Sequence, residues 1–144
     1  MDLSKVARIP PVTAGPDVTV FQAVKIMAEN EVGAVVVVDA NRKVLGIFTE
    51  RDNMMRVTLE RRNPEATTVK DVMSAPVQTA MPDISPSEAL NRMLGSGYRH
   101  LPVVDKQQSI VGMVSVRQLL MRRVSEQHNN IDVLAAYVEA GGPG

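Results

Sequence analysis

Apolar residues along this chain fall into two kinds of pattern, and the two kinds alternate. In VFQAVKIMAEN, Val20, Val24 and Met27 recur at helical spacing, with Thr19 placed where a helix N-cap belongs. The next apolar run, GAVVVVD from Gly33 to Asp39, is β-branched and apolar along nearly its whole length. Such a strand is expected to be buried on both faces, because a half-exposed strand alternates with polar residues. The polar turn ANRK separates it from a second strand-like run, VLGIF, which passes at once into Thr49-Glu50-Arg51-Asp52. That abrupt polar ending suits a helix start, and it equally suits a ligand site at a strand end.

The same series occurs twice. Val37–Asp39 reads VVD, and so does Val103–Asp105, an offset of 66 positions (105 minus 39). The offset pairs Pro10 with Pro76, Thr13 with Thr79, Ala23 with Ala89, Met27 with Met93, Gly46 with Gly112 and Arg51 with Arg117, without a gap. Register held over that distance identifies a tandem duplication. In the second copy Ser85 precedes Pro86, the order favoured at helix starts, and Leu90, Met93 and Leu94 form the apolar stripe. Each copy reads β-α-β-β-α, which makes the fold α/β (α+β). The expected division is residues 1–62 for the first repeat, 63–70 for a polar linker, 71–125 for the second repeat and 126–144 for a C-terminal helix and frayed tail. A unit of about 60 residues is marginal alone. The two are therefore expected to pack sheet against sheet about a pseudo-twofold axis, sharing one core, with two related clefts at the strand ends.

Composition narrows the function. The 144 residues are 44% hydrophobic, which argues against disorder. Lys plus Arg and Asp plus Glu both number 16, so nothing marks a dedicated polyanion binder. Aromatics are 3% and Trp is absent, a poor surface for stacking bases, and no nucleic-acid partner is expected. The lack of Cys excludes disulfides, thiolate metal sites and a Cys nucleophile. The two histidines, His100 and His128, offer no metal-ligand spacing, and there is no Ser-His-Asp order or glycine-rich phosphate loop. Glu50 and Asp52, two apart on a helix, do not face each other as a catalytic pair. No catalytic residue and no metal site are expected. MDLSKVARIPP lacks the apolar core of a signal peptide, and the longest strongly apolar run, Gly33 to Val38, is too short to span a bilayer. A cytoplasmic protein without a membrane span is the expectation.

The paired lead-ins PPVTA and PVQTA, with GAVVVVDANRKVLGIFTERD and its copy RHLPVVDKQQSIVGMVSVRQ, resemble a tandem pair of CBS (cystathionine β-synthase) domains, the Bateman module, in its small stand-alone form. The resemblance covers roughly Ile9 to Val124. It implies a regulatory protein rather than an enzyme. Its ligand would be an adenosine nucleotide in the cleft between repeats, AMP first, with ADP, ATP, NADH or S-adenosylmethionine as alternatives. Occupancy would be transmitted by conformational change to a regulated enzyme or transporter, from a homodimer of four repeats. The family signature is Gly, two apolar residues, Ser or Thr, two variable residues and Asp, and Gly46 to Asp52 fits it in full.

By this resemblance Asp52 takes the ribose hydroxyls, as an acceptor-only carboxylate can. Thr49 offers its hydroxyl to ribose or phosphate, and Arg51 presents a fork of donors to phosphate. The second copy keeps Gly112 and Ser115 but has Gln118 where Asp is expected, so the cleft at Ser115 is expected to be the weaker one. The resemblance further implies that Arg99 and His100 serve phosphate, that the small Gly33 and Ala34 let ligand approach the backbone, and that Val12 and Val77 border adenine. Met54, Met55, Leu119 and Leu120 are the expected dimer face. The residues alone leave another reading open. Thr49 with Asp52 makes a helix start like a capping box, Arg51 makes a solvated side chain, and the clefts would be vestigial in a dimerisation platform.

Overall fold

The structure, a computed structural model, describes residues 2–127. The expected helix and frayed end over 128–144, with His128, lie outside the described residues. In the first repeat β1 (Thr13–Ala14) runs parallel to β2 (Ala34–Val38), and β2 pairs antiparallel with β3 (Val44–Thr49). In the second, β4 (His100–Val104) pairs antiparallel with β5 (Ile110–Ser115), and Ala80 bridges Val103 as Ala14 pairs Val37. Both hairpins slip register at the same place, Val37/Val38 and Val103/Val104. The duplication is thus preserved down to single hydrogen bonds.

Helix α1 (Val20–Asn30) starts where Thr19 predicts, and its first-turn donors are all accounted for. The Val20 and Phe21 amides donate to the Thr67 and Pro64 carbonyls, and the Gln22 amide donates to the Thr19 hydroxyl. The linker therefore closes this helix end rather than merely spanning a gap. Helix α3 (Pro86–Ser96) has Ser85 as its N-cap and stops at Gly97, whose φ of 78° suits a residue without a side chain. Helix α2 (Glu50–Asp52) continues as a π-helical stretch over Asn53–Thr58, whereas its counterpart α4 (Val116–Gln127) is regular.

The apolar run of β2 is buried at every position because its two faces pack against different things. Val35 and Val37 join Val20, Ala23 and Met27 of α1. Ala34, Val36 and Val38 meet Ile47, Ile110 and Met113, residues drawn from both sheets. A third cluster packs α3 and α4 on the second sheet through Leu90, Met93, Leu101, Val103 and Leu119. The expected single shared core is therefore three. Each sheet keeps its own helices on its outer face, and only the inner faces are shared. Met27 and Met93 are core, while Met54, Met55 and Met121 stay exposed. Leu119, expected at a dimer face, is instead buried at 3% exposure in the second repeat's core, with Leu120 packed partly against it. Its place on α4 turns it toward the sheet.

The segment before each repeat crosses to the other. Residues 2–9 carry a 3-10 turn (Leu3–Lys5), and Leu3 sits fully buried among α3, α4 and the second sheet. Residues 69–74, with a matching turn (Val69–Asp71), bury Val69 and Val72 in the first repeat. Arg8 pairs with Met113 of β5, and Ser74 pairs with Ile47 of β3 through two backbone bonds of 2.8 and 3.0 Å. These straps explain the signature glycines. A Cβ on Gly46 would lie 2.8 Å from the Ser74 carbonyl oxygen, and one on Gly112 would lie 3.0 Å from that of Arg8. Only a residue without a side chain lets the strap lie that close.

Candidate functional site

The end of β3 and the start of α2 face the start of β4 across a cleft of about 790 Å³. Its rim is set by two matching backbone bonds, from the Glu50 amide to the Gly33 carbonyl and from the Val116 amide to the Arg99 carbonyl, both 3.0 Å. Each helix start is thereby fixed to the residue that leads into a strand of its own repeat. The cleft brings together Gly33, Thr49, Arg51 and Asp52 of the first repeat with Arg99 and His100 of the second.

Thr49 and Asp52 form a reciprocal cap. The Asp52 amide donates to the Thr49 hydroxyl, and the Thr49 amide donates to Asp52 Oδ2, both at 3.1 Å. Asp52 Oδ1 accepts the Ser74 hydroxyl at 2.9 Å, and Arg56 Nε lies 3.9 Å from it. Asp52 is a buried charge, 7% exposed, and these donors stand in for the water it has lost. Three guanidiniums (Arg51, Arg56, Arg99) line the cleft against two carboxylates (Glu50, Asp52), so its field suits an anion. Burial, and after it the adjacent Arg99 guanidinium, push the half-buried His100 imidazole down to about 4. His100 is thus neutral at pH 7. A neutral imidazole can donate one hydrogen bond.

Four expected site residues lie elsewhere. Ala34 is buried between the sheets at 5% exposure, one residue too deep into β2 to reach the cleft lining. Val77 packs against the same inter-sheet cluster. Val12 borders a separate depression with Arg8, Ile9 and Ile26. Ser115 does not line the cleft; it caps α4 at the position matching Thr49, where Gln118 Oε1 accepts the Ser115 amide at 2.8 Å. Gln118 therefore keeps the cap that Asp52 makes and loses only the charge.

The cleft also contains Arg56, Ser74 and Tyr98, which sequence reasoning did not single out. Arg56 was findable, since it stands four residues after Asp52 on one helix face. Tyr98 directly precedes Arg99. Ser74 carried no local signal, because the strap that delivers it comes from 22 residues away. Among the described residues no group of His, Cys, Asp and Glu forms a metal site, and no helix is long and apolar enough to cross a membrane.

Two repeats of matching strand and helix order, with a cleft between them, define a tandemly duplicated module. A family profile for the CBS domain matches residues 3–52 and 69–125, and the chain belongs to the CBS domain family as a tandem pair. The chain is 33% identical over 129 residues to the mitochondrial CBS domain-containing protein CBSX3 of Arabidopsis thaliana, covering 87% of this chain and 62% of that one. It thus spans less than two thirds of that relative. Among solved structures, a CBS-domain protein from Burkholderia ambifaria superposes with a TM-score of 0.79 at 32% identity, over 88% of this chain and 96% of that chain. The CBS domain pair of protein MJ0100, solved with 5′-methylthioadenosine and S-adenosyl-L-methionine, superposes with a TM-score of 0.80 over 88% of this chain and 98% of that one. At 22% identity it shares the fold.

Proposed function

We propose that the cleft binds an adenosine nucleotide and that occupancy is the signal this module transmits. One observation carries the reading: Thr49, Arg51 and Asp52 of one repeat converge with Arg99 and His100 of the other on a single cleft. Asp52 accepts the ribose hydroxyls, and Thr49, Arg51, Arg99 and His100 hold phosphate. AMP is the first candidate, with ADP, ATP and NADH behind it. The adenosine ligands of the MJ0100 pair support the class. The excess of guanidinium groups favours a phosphorylated member over a sulfonium. A ligand that touches both repeats shifts their arrangement by its differential affinity for the two arrangements, and a partner enzyme or transporter reads the shift. A homodimer of four repeats fits the exposed Met54, Met55 and Leu59 on the α2 side. That same apolar face supports a second reading, an interaction platform with empty clefts.

Thermal unfolding of the chain with AMP, ADP, ATP, NADH, S-adenosylmethionine and a GMP control tests this. At 100 times its dissociation constant a ligand of the folded state adds about 2.7 kcal/mol. Asp52→Gln is the informative variant, because Gln118 shows that Gln keeps the cap at this position. We expect an adenine-nucleotide shift in the natural chain that Asp52→Gln loses while remaining folded. Flat curves with every ligand at millimolar concentration would leave the platform reading standing.

A further inference from the structure

Asp52 has two claimants. Its Oδ2 is committed to the Thr49 amide at the head of α2. Its Oδ1 is held by the hydroxyl of Ser74, which arrives on the strap of residues 69–74 and lines the same cleft. Asp52 is 7% exposed, and each of its oxygens already accepts one of these bonds. Arg56, one turn after Asp52, ties the same strap to α2 by donating to the Met73 and Val72 carbonyls at 2.7 and 3.3 Å.

The second repeat keeps the cap but has neither strap contact. Arg8 stands at the position of Ser74 and turns away, its Nη1 donating to the Asn30 carbonyl at 3.4 Å. Gln118 is engaged with Ser115, and Arg122 donates to Glu126 at 3.1 Å rather than to a strap. The arrangement is therefore one-sided, and it lies on the strap that joins the two repeats.

We propose that Ser74 is a latch: ligand ribose replaces its hydroxyl on Asp52, and this exchange loosens the strap of residues 69–74 against α2, leaving Arg56 as its remaining side-chain tie. The inference rests on the adenosine reading of the cleft and adds the route by which occupancy leaves it. Ser74 acts through Asp52, as a positioning residue on an element shared by both repeats. Because the strap also pairs with Ile47 through its backbone, the exchange loosens it without detaching it.

Calorimetric titration of AMP, ADP, ATP and NADH into the full chain selects the nucleotide that binds. The titration is repeated with Ser74→Ala and Ser74→Thr, and hydrogen exchange over residues 69–74 is followed with and without that nucleotide. Ser74→Ala is expected to bind roughly tenfold tighter, the worth of one hydrogen bond to a charged acceptor. Ser74→Thr keeps a hydroxyl and is expected to bind like the natural chain. Nucleotide speeds strap exchange in the natural chain and in Ser74→Thr, and leaves it unchanged in Ser74→Ala, which has no hydroxyl on Asp52 to lose. Equal or weaker binding by Ser74→Ala, or a strap response that it retains, overturns the latch and leaves the adenosine site standing. If none of the four nucleotides binds the natural chain, both readings fall.

Discussion

His100 enters β4 at the position where Ala34 enters β2, and this one difference puts an ionisable group where its counterpart is a methyl. Its pKa of about 4 lies below the ordinary value of 6.5. Above pH 6.5 the imidazole is neutral in both folded and unfolded chains, and stability is complete. Between pH 6.5 and about 4 the unfolded chain takes up a proton that the folded one refuses. Stability then falls with pH at up to about 1.4 kcal/mol per unit. Urea unfolding at pH 7 and pH 5 should show this loss, and His100→Gln should show less of it, the carboxylates cancelling in the comparison. At this scale Thr49 and Asp52 were picked out by the signature over Gly46 to Asp52, and Arg99 by its place before the strand LPVVD; all three line one cleft. Ser74 was not picked out, because its role depends on a strap crossing from one repeat to the other.

At the scale of elements, the strands and α1 and α3 could be read from apolar spacing and the capping residues Thr19 and Ser85. The π-helical stretch over Asn53–Thr58 could not. NMMRVT matches LLMRRV in pattern, yet the Leu59 amide reaches back five residues to the Met54 carbonyl at 3.0 Å. Tertiary surroundings, with Arg56 drawn to the strap carbonyls, distinguish the two helices. The glycines under the straps give a prediction of the same scale. Gly46→Ala and Gly112→Ala both force a methyl against a strap, and overpacking of this kind costs about 1–3 kcal/mol. The backbone clash is closer at Gly46 (2.8 Å) than at Gly112 (3.0 Å), so Gly46→Ala should lower the denaturation midpoint more.

At the scale of the whole molecule, sequence position and structural membership part company. Leu3 precedes the first repeat but is fully buried in the second. Leu3→Ala should cost about 2–5 kcal/mol, and hydrogen exchange should quicken in β4 and β5 rather than in β2 and β3. The sheet-on-sheet body was legible because a fully apolar β2 needs two covered faces. The crossing was not, because nothing in MDLSKVARIPP says which sheet it joins. Counted within one unit, position 8 of each half meets position 47 of the other, since Ser74 and Met113 are 66 beyond Arg8 and Ile47. That reciprocity is the mark of an isologous two-fold interface. The chain is built as a homodimer whose subunits have been fused end to end. A symmetric assembly of identical subunits must carry the same residue at both equivalent places. Covalent fusion is what allows Asp52 in one half to be matched by Gln118 in the other, and so allows two helix starts of one origin to become different.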